Sequence, residues 1–238
     1  LDNIYDIELN SCDGEPNMLD KYRGKVTMVI NVTTDCGNAP EYGIIQSIYE
    51  KYKDEGFEVL AVPTNEYCGE YIVYDEFVSG MNSALDAKNF ATENYKVTYE
   101  FSELVKSCPG TVNRDLNEEL YPGRQEEFPR QLGPNDTPHL LFDTLCQTEE
   151  GEGPNGMYGN FEKFLIGRDG KYHCRHHNGS LMPRHDENEY ADKFNIPEKN
   201  RRTHDYYSDN EKYTDYFSAE FNYRRLCEDI EFLLNQGR

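Results

Sequence analysis

No run of about eighteen apolar residues, the length a helix needs to cross the hydrocarbon core of a bilayer, occurs in this sequence, so no segment spans a membrane as a helix. Positive charge is scarce. Against 45 Asp and Glu stand 24 Lys and Arg, and the formal charge of -21 repels phosphate backbones and anionic bilayers, which are bound through clustered cations. Nucleic acid and membrane surfaces are excluded as partners. No CxxC pair is present, which removes the zinc ribbon and the dithiol redox motif. Aliphatic side chains are sparse as well. The hydrophobic fraction is 37%, much of it supplied by 19 Tyr and 12 Phe, and a mean hydropathy of -0.88 implies a modest core under a large polar surface.

A chain of 238 residues is enough for one well-packed domain. We read a single domain over 1–238, with an insertion loop at 107–137, rich in Pro, Gly and charge, and an acidic, Tyr-rich segment at 183–216 that lacks periodicity. The first residue is Leu1 rather than Met. The expectation is a secreted, extracellular protein that has lost a signal peptide, although a trimmed sequence would begin in the same way. Asn31, Asn135 and Asn178 open glycosylation sequons. The last two stand in polar, turn-like surroundings that tolerate a glycan, whereas Asn31 lies in an apolar run and is expected to be buried and bare. The seven cysteines, Cys12, Cys36, Cys68, Cys108, Cys146, Cys174 and Cys227, are an odd number, which leaves one thiol over in an exported chain. Secretion favours at least one disulfide, and small buried hydrophobes are the alternative role.

The run Lys25-Val26-Thr27-Met28-Val29-Ile30-Asn31-Val32 is short, apolar and rich in β-branched residues, which predicts a central strand at 25–32. Pro40 then opens a helix in which Ile44, Ile45, Ile48, Tyr49 and Tyr52 recur at helical spacing until Gly56. A second buried strand at 57–63 completes a βαβ unit with parallel strands. Helical patterning recurs over 73–87 and 138–147. From Phe161 a strand, an Asp169-Gly170 turn and a strand at 171–176 predict an antiparallel hairpin. Phe217, Phe221, Leu226, Ile230, Leu233 and Leu234 form one apolar stripe of a last helix that packs on the sheet. This order predicts an α/β, thioredoxin-like fold, a central mixed sheet flanked by helices, with insertions.

Three segments resemble the glutathione peroxidase family. Asn31-Val32-Thr33-Thr34-Asp35-Cys36-Gly37 is similar to its active-site motif, in which selenocysteine or cysteine precedes Gly. Val62-Pro63-Thr64-Asn65-Glu66-Tyr67 is similar to its Phe-Pro-Cys-Asn-Gln-Phe, and Asn160-Phe161-Glu162-Lys163-Phe164-Leu165 to its Trp-Asn-Phe-Glu-Lys-Phe-Leu. The resemblance implies a thiol peroxidase that reduces hydrogen peroxide or organic hydroperoxides through Cys36, with a thiol reductant such as glutathione or a thioredoxin-like protein as partner and no cofactor. Independently of it, a thiol between a central strand and a helix start meets the positive end of the helix dipole, which favours the thiolate. A buried, inert cysteine or half of a disulfide remains the competing reading.

The pattern is broken around that thiol. Asn160 is kept, but Glu66 stands where the family has Gln, and Gly159 where it has Trp. A carboxylate at 66 raises the thiol pKa by like-charge repulsion and, ionised, offers no N–H donor. Each lost donor to a developing anion costs about 2.7 to 4 kcal/mol. Cys68, two residues beyond Glu66, is a resolving thiol or a structural disulfide partner for Cys36. A secreted, catalytically inactive protein with a structural or interaction role, as a homo-oligomer or within a larger extracellular assembly, is therefore the alternative function. His173, Cys174, His176, His177 and His185 suggest no metal site, because strand alternation sends His173 and His177 to one face and His176 to the other. The run Asp205-Tyr206-Tyr207-Ser208-Asp209 is a sulfated or acidic docking surface, or a solvated segment.

Overall fold

The computed structural model describes residues 3–34, 36–65, 81, 83–107, 138–147, 159–202 and 218–237. Glu66, Cys68, Cys108, Asn135, nearly all of the insertion loop and the run at 205–209 lie outside them, as does most of the expected helix over 73–87.

Strands β1 (Val26–Val32) and β2 (Phe57–Pro63) are parallel, with Val26 opposite Phe57 and Val32 opposite Pro63. Helix α1 (Glu41–Tyr52) connects them and gives way to a short 3-10 turn that Gly56 ends at a φ of 93°. This is the expected βαβ unit. Helix α2 (Ala84–Tyr95) starts later than its predicted counterpart and is capped reciprocally by Ser83 and Asp86. A two-residue strand β3 (Glu100–Phe101), which the sequence pattern did not show, pairs parallel to β2. Helix α3 (Leu140–Gln147) follows. Strands β4 (Lys163–Ile166) and β5 (Tyr172–His176) form the predicted hairpin, and β4 lies antiparallel to β1 with Met28 opposite Leu165. The sheet order is β3-β2-β1-β4-β5, a mixed five-stranded sheet flanked by helices, as the thioredoxin-like reading required.

Strand alternation divides the core into two layers. Met28, Ile30, Val32, Val59, Ala61 and Leu165 face α1, α2 and the last helix, α5 (Ala219–Asn235). Val29, Leu60, Val62, Phe164 and Ile166 face the N-terminal segment and α3. Both sheet faces are covered, which is why β1 is buried along its whole length and reads as continuous rather than alternating hydrophobicity. Leu226, Ile230, Leu233 and Leu234 of α5 are buried as the stripe predicts, and Cys227 joins them. The stretch 183–202, expected to lack regular structure, contains helix α4 (Asn188–Lys193), whose Tyr190 and Ala191, together with Ile196, enter the first of these layers.

One local feature corrects the expected faces of the histidines. Ile166 pairs with Tyr172 and Leu165 with Cys174, so the register skips His173. This bulge rotates His173 out of strict alternation. His173 and Cys174, neighbours in sequence, consequently both present ligand atoms near Asp229 of α5, and His176 Nε2 lies 2.7 Å from Asp229 Oδ2.

Candidate functional site

The site is assembled where β1 ends. Past Val32 the chain enters a series of tight turns in which Ala39 donates to Cys36 O at 3.0 Å, Glu41 to Asn38 O at 2.9 Å and Tyr42 to Ala39 O at 3.0 Å, and these lead directly into α1. Cys36 is half-buried at the start of the series. The Asn38 backbone N–H donates to Cys36 Sγ at 3.3 Å. An amide N–H aimed at the sulfur is the kind of donor that can hold a thiolate. From α2, Tyr95 comes near enough for the Cys36 charge to matter: burial first, and that negative charge second, push its phenol up. Tyr95 is a neighbour that sequence reasoning missed, and nothing at position 95 marks it, because only the fold brings the end of α2 to this loop.

The second segment is 159–162. Asn31, the last buried polar side chain of β1, clamps it: Asn31 Nδ2 donates to Gly159 O at 2.8 Å, Phe161 N donates to Asn31 O at 2.7 Å, and Glu162 N donates to Asn31 Oδ1 at 2.9 Å. With its side chain wholly buried and its carboxamide committed, Asn31 cannot carry a glycan, as expected. The clamp holds Phe161 at a φ of 68°, a left-handed conformation that a bulky residue adopts only when its surroundings over-determine it. The Phe161 ring meets Tyr42 edge-on at 4.9 Å. Asn160, the residue before Phe161, is 3% exposed, and its Oδ1 has no hydrogen-bond partner among the described residues. An acceptor left without a hydrogen bond in the interior is an exception among native polar groups, and it calls for a donor from a bound water or ligand.

The third segment is the turn after β5. Asn178 donates its backbone N–H to Glu162 Oε1 at 3.3 Å. Instead of standing on an exposed turn, Asn178 is half-buried with its side chain against Gly159: a Cβ at Gly159 would lie 2.5 Å from Asn178 Nδ2 and 3.1 Å from its Cγ. Gly159 does not have a left-handed φ, so its backbone would accept a side chain and Asn178 is what occupies the space. The next residue, Gly179, lies against Asn38, whose Oδ1 accepts a hydrogen bond from Arg202 Nη2. Arg202 thus fastens the stretch beyond α4 to the loop that carries Cys36.

A fully buried ion pair ties all three segments together. Glu41, the first residue of α1, and Lys163 of β4 are 0% exposed, with Oε2 and Nζ 2.6 Å apart. Lys163 also donates to Phe161 O at 2.7 Å and His177 O at 3.1 Å, while Glu41 Oε1 accepts the Leu181 N–H at 3.0 Å. Burial pushes the Glu41 carboxyl up, and the Lys163 charge opposes that shift without cancelling it. Lys163 stands in the third motif of the sequence, but its partner was not legible there.

The loop that carries Cys36 and the segment that carries Gly159 and Asn160 thus adjoin at the end of β1, through Asn31 and through Tyr42 on Phe161, and Glu66 and Cys68 lie outside the described residues. The sequence matches the glutathione peroxidase family model over residues 4–122. It is 30% identical over 174 residues to the hydroperoxy fatty acid reductase of Synechocystis, covering 71% of this chain and 82% of that protein. Identity is 28% over 169 residues to the glutathione peroxidase of Lactococcus lactis, and 28% over 170 residues to the thioredoxin/glutathione peroxidase of Escherichia coli, covering in each case 71% of this chain and 85% of the relative.

Proposed function

Because the chain belongs to the glutathione peroxidase family, we propose that it is a thiol peroxidase in which Cys36 is the nucleophile. The observation that carries the proposal is the Asn38 N–H held 3.3 Å from Cys36 Sγ at the turn into α1. In the reaction, the Cys36 thiolate attacks one peroxide oxygen; the S–O bond forms as the O–O bond breaks, and the departing alkoxide or hydroxide takes a proton to leave as alcohol or water. Cys36 is then a sulfenic acid. A first thiol condenses with it to a mixed disulfide, releasing water, and a second thiol attacks that disulfide, restoring Cys36 and leaving with the oxidised reductant. The name of the Escherichia coli relative joins thioredoxin and glutathione, and these are the two classes of reductant we propose here. Asn160 is assigned to the anion that develops at the sulfur and the peroxide, because it keeps the residue of the family motif and its side-chain amide N–H can donate to an anion. Export, with a glycan on Asn135, remains part of the proposal, and Asn178, whose Nδ2 packs against Gly159, is the poorer acceptor.

The test is hydroperoxide consumption with either reductant, together with trapping of a sulfenic acid by a cyclic dione. Activity and trapping that both vanish in Cys36→Ser support the reading. Turnover that persists in Cys36→Ser would assign the chemistry to another thiol. A second reading rests on Gly159, where the side chain of Asn178 fills the space in which the family resemblance calls for an indole. In that reading the fold is kept for interaction, and a reduced, alkylatable Cys36 gives neither turnover nor a trapped sulfenic acid.

A further inference from the structure

We propose that His173, Cys174 and Asp229 form a binding site for a divalent metal ion of the zinc kind, at the joint between edge strand β5 and helix α5. Each of the three offers one ligand atom, and these atoms lie within 4.8 Å of one another. Cys174 Sγ and Asp229 Oδ2 are 3.6 Å apart. A tetrahedral zinc with its sulfur at about 2.3 Å and its oxygen at about 2.0 Å separates the two by about 3.5 Å, so this pair needs almost no movement. The imidazole of His173 has to close by up to about 1.5 Å to reach the separations of a tetrahedral ligand set.

Three features hold the ligands in place. The bulge at His173 brings two successive residues of one strand to a common point, which regular alternation forbids. The His173 ring lies stacked on Phe232, at 5.4 Å and 24°. His176 Nε2 stands 2.7 Å from Asp229 Oδ2, too close for both to ligate through those atoms, and so acts as a partner that orients the carboxylate, as outer-shell groups commonly do in metal sites. A thiolate, an imidazole and a carboxylate suit zinc, whereas calcium and magnesium prefer oxygen alone. Three protein ligands leave a fourth position to water. Cys174 binds as the thiolate, so uptake releases a proton. None of these residues belongs to the neighbourhood of Cys36, and the site does not depend on the peroxidase reading.

The test uses the full chain, reduced, stripped with a chelator and freed of it. Cobalt(II) should give a sulfur-to-cobalt charge-transfer band that saturates at one equivalent and is bleached by zinc(II). The band should be lost in Cys174→Ser, and affinity should fall at least tenfold in His173→Ala and Asp229→Asn, and roughly 10–100-fold in His176→Gln. No saturable band in the native protein, or an unchanged band in Cys174→Ser, would overturn the site, the second outcome because another cysteine would then be the ligand. Should Cys174→Ser fail to fold, alkylation of the native chain decides. Zinc should slow modification of Cys174 and leave Cys12 and Cys36 at their metal-free rates; unchanged or uniformly slowed rates would refute the proposal.

Discussion

Lys163→Met asks whether the neighbourhood of Cys36 is fastened from inside. Methionine keeps roughly the volume of the lysine stem, so packing changes little. What disappears is the charge 2.6 Å from Glu41 Oε2 and the donors to Phe161 O and His177 O. Removing one member of a buried ion pair costs about 3–5 kcal/mol, and an orphaned buried carbonyl adds about 1 kcal/mol or more. Glu41 can recover part of this by taking up a proton. The expected loss is therefore about 4–6 kcal/mol, a large share of the roughly 5–15 kcal/mol that holds a typical domain together. Urea unfolding followed by circular dichroism measures it, with the midpoint falling and the slope unchanged. Adding Glu41→Leu should return about 3 kcal/mol, because the unpaired carboxylate goes too. If Lys163→Met costs less than about 1 kcal/mol, the pair does not organise the segments that meet at Lys163.

Three further outcomes follow from the same geometry. Burial raises the Glu41 carboxyl, so the folded chain holds that proton more tightly than the unfolded one; the resulting stability is present below the ordinary carboxylate range and is lost as pH rises through the folded value. The deficit of Glu41→Gln against the native protein should then be larger near about pH 4 than at neutrality, and a deficit that grows with pH would show that attraction to Lys163 outweighs desolvation. Gly159→Trp should destabilise by about 1–3 kcal/mol through its clash with Asn178, and Asn178→Gly in the same chain should relieve most of it; equal losses in both chains would mean that something other than Asn178 fills the space. Mass spectrometry of the chain from its natural source should find glycan on Asn135 and none on Asn31, whereas seven reduced thiols and no glycan would remove the case for export.

The elements that carry the site were legible because they obey simple periods. β1 and β2 are continuous apolar runs, buried on both faces, and α1 repeats Ile44, Ile45, Ile48 and Tyr52 toward one layer. Where the reading failed, a local rule competed with the period. Helix α2 buries only Ala84, Ala87 and Ala91, a stripe too small to register as hydrophobic, although Ser83 and Asp86 signal its start. The bulge at His173 hides a cluster that alternation disperses, since one extra residue on an edge strand leaves no mark in composition. At the site, Cys36 and Asn160 stood out because their motifs are local. Tyr95 and Arg202 did not, because each reaches Cys36 or its loop from a distant part of the chain, and Glu41, though close in sequence, is marked only by its pairing with Lys163 across the fold.

The reductant can be argued from charge. A chain carrying a formal -21 sets up a negative potential of one to several kT over much of its surface, and each kT lowers the local concentration of a singly charged anion about threefold. Glutathione has two carboxylates against one ammonium, so it is such an anion at neutral pH. A neutral thiol such as 2-mercaptoethanol is indifferent to the potential. Salt shortens the reach of that field from about 30 Å at 0.01 M to about 10 Å at 0.1 M. The second-order rate at which glutathione reduces oxidised Cys36 should therefore rise about threefold or more across that range, while the rate with 2-mercaptoethanol stays level. Stopped-flow measurement of both separates a field effect from a general effect of salt on the fold. The described cation fastened to the Cys36 loop, Arg202 on Asn38, works against the trend locally. A glutathione rate that falls with salt would mean that Arg202 and its neighbours dominate the approach to the sulfur, and Arg202→Gln should then reverse the slope.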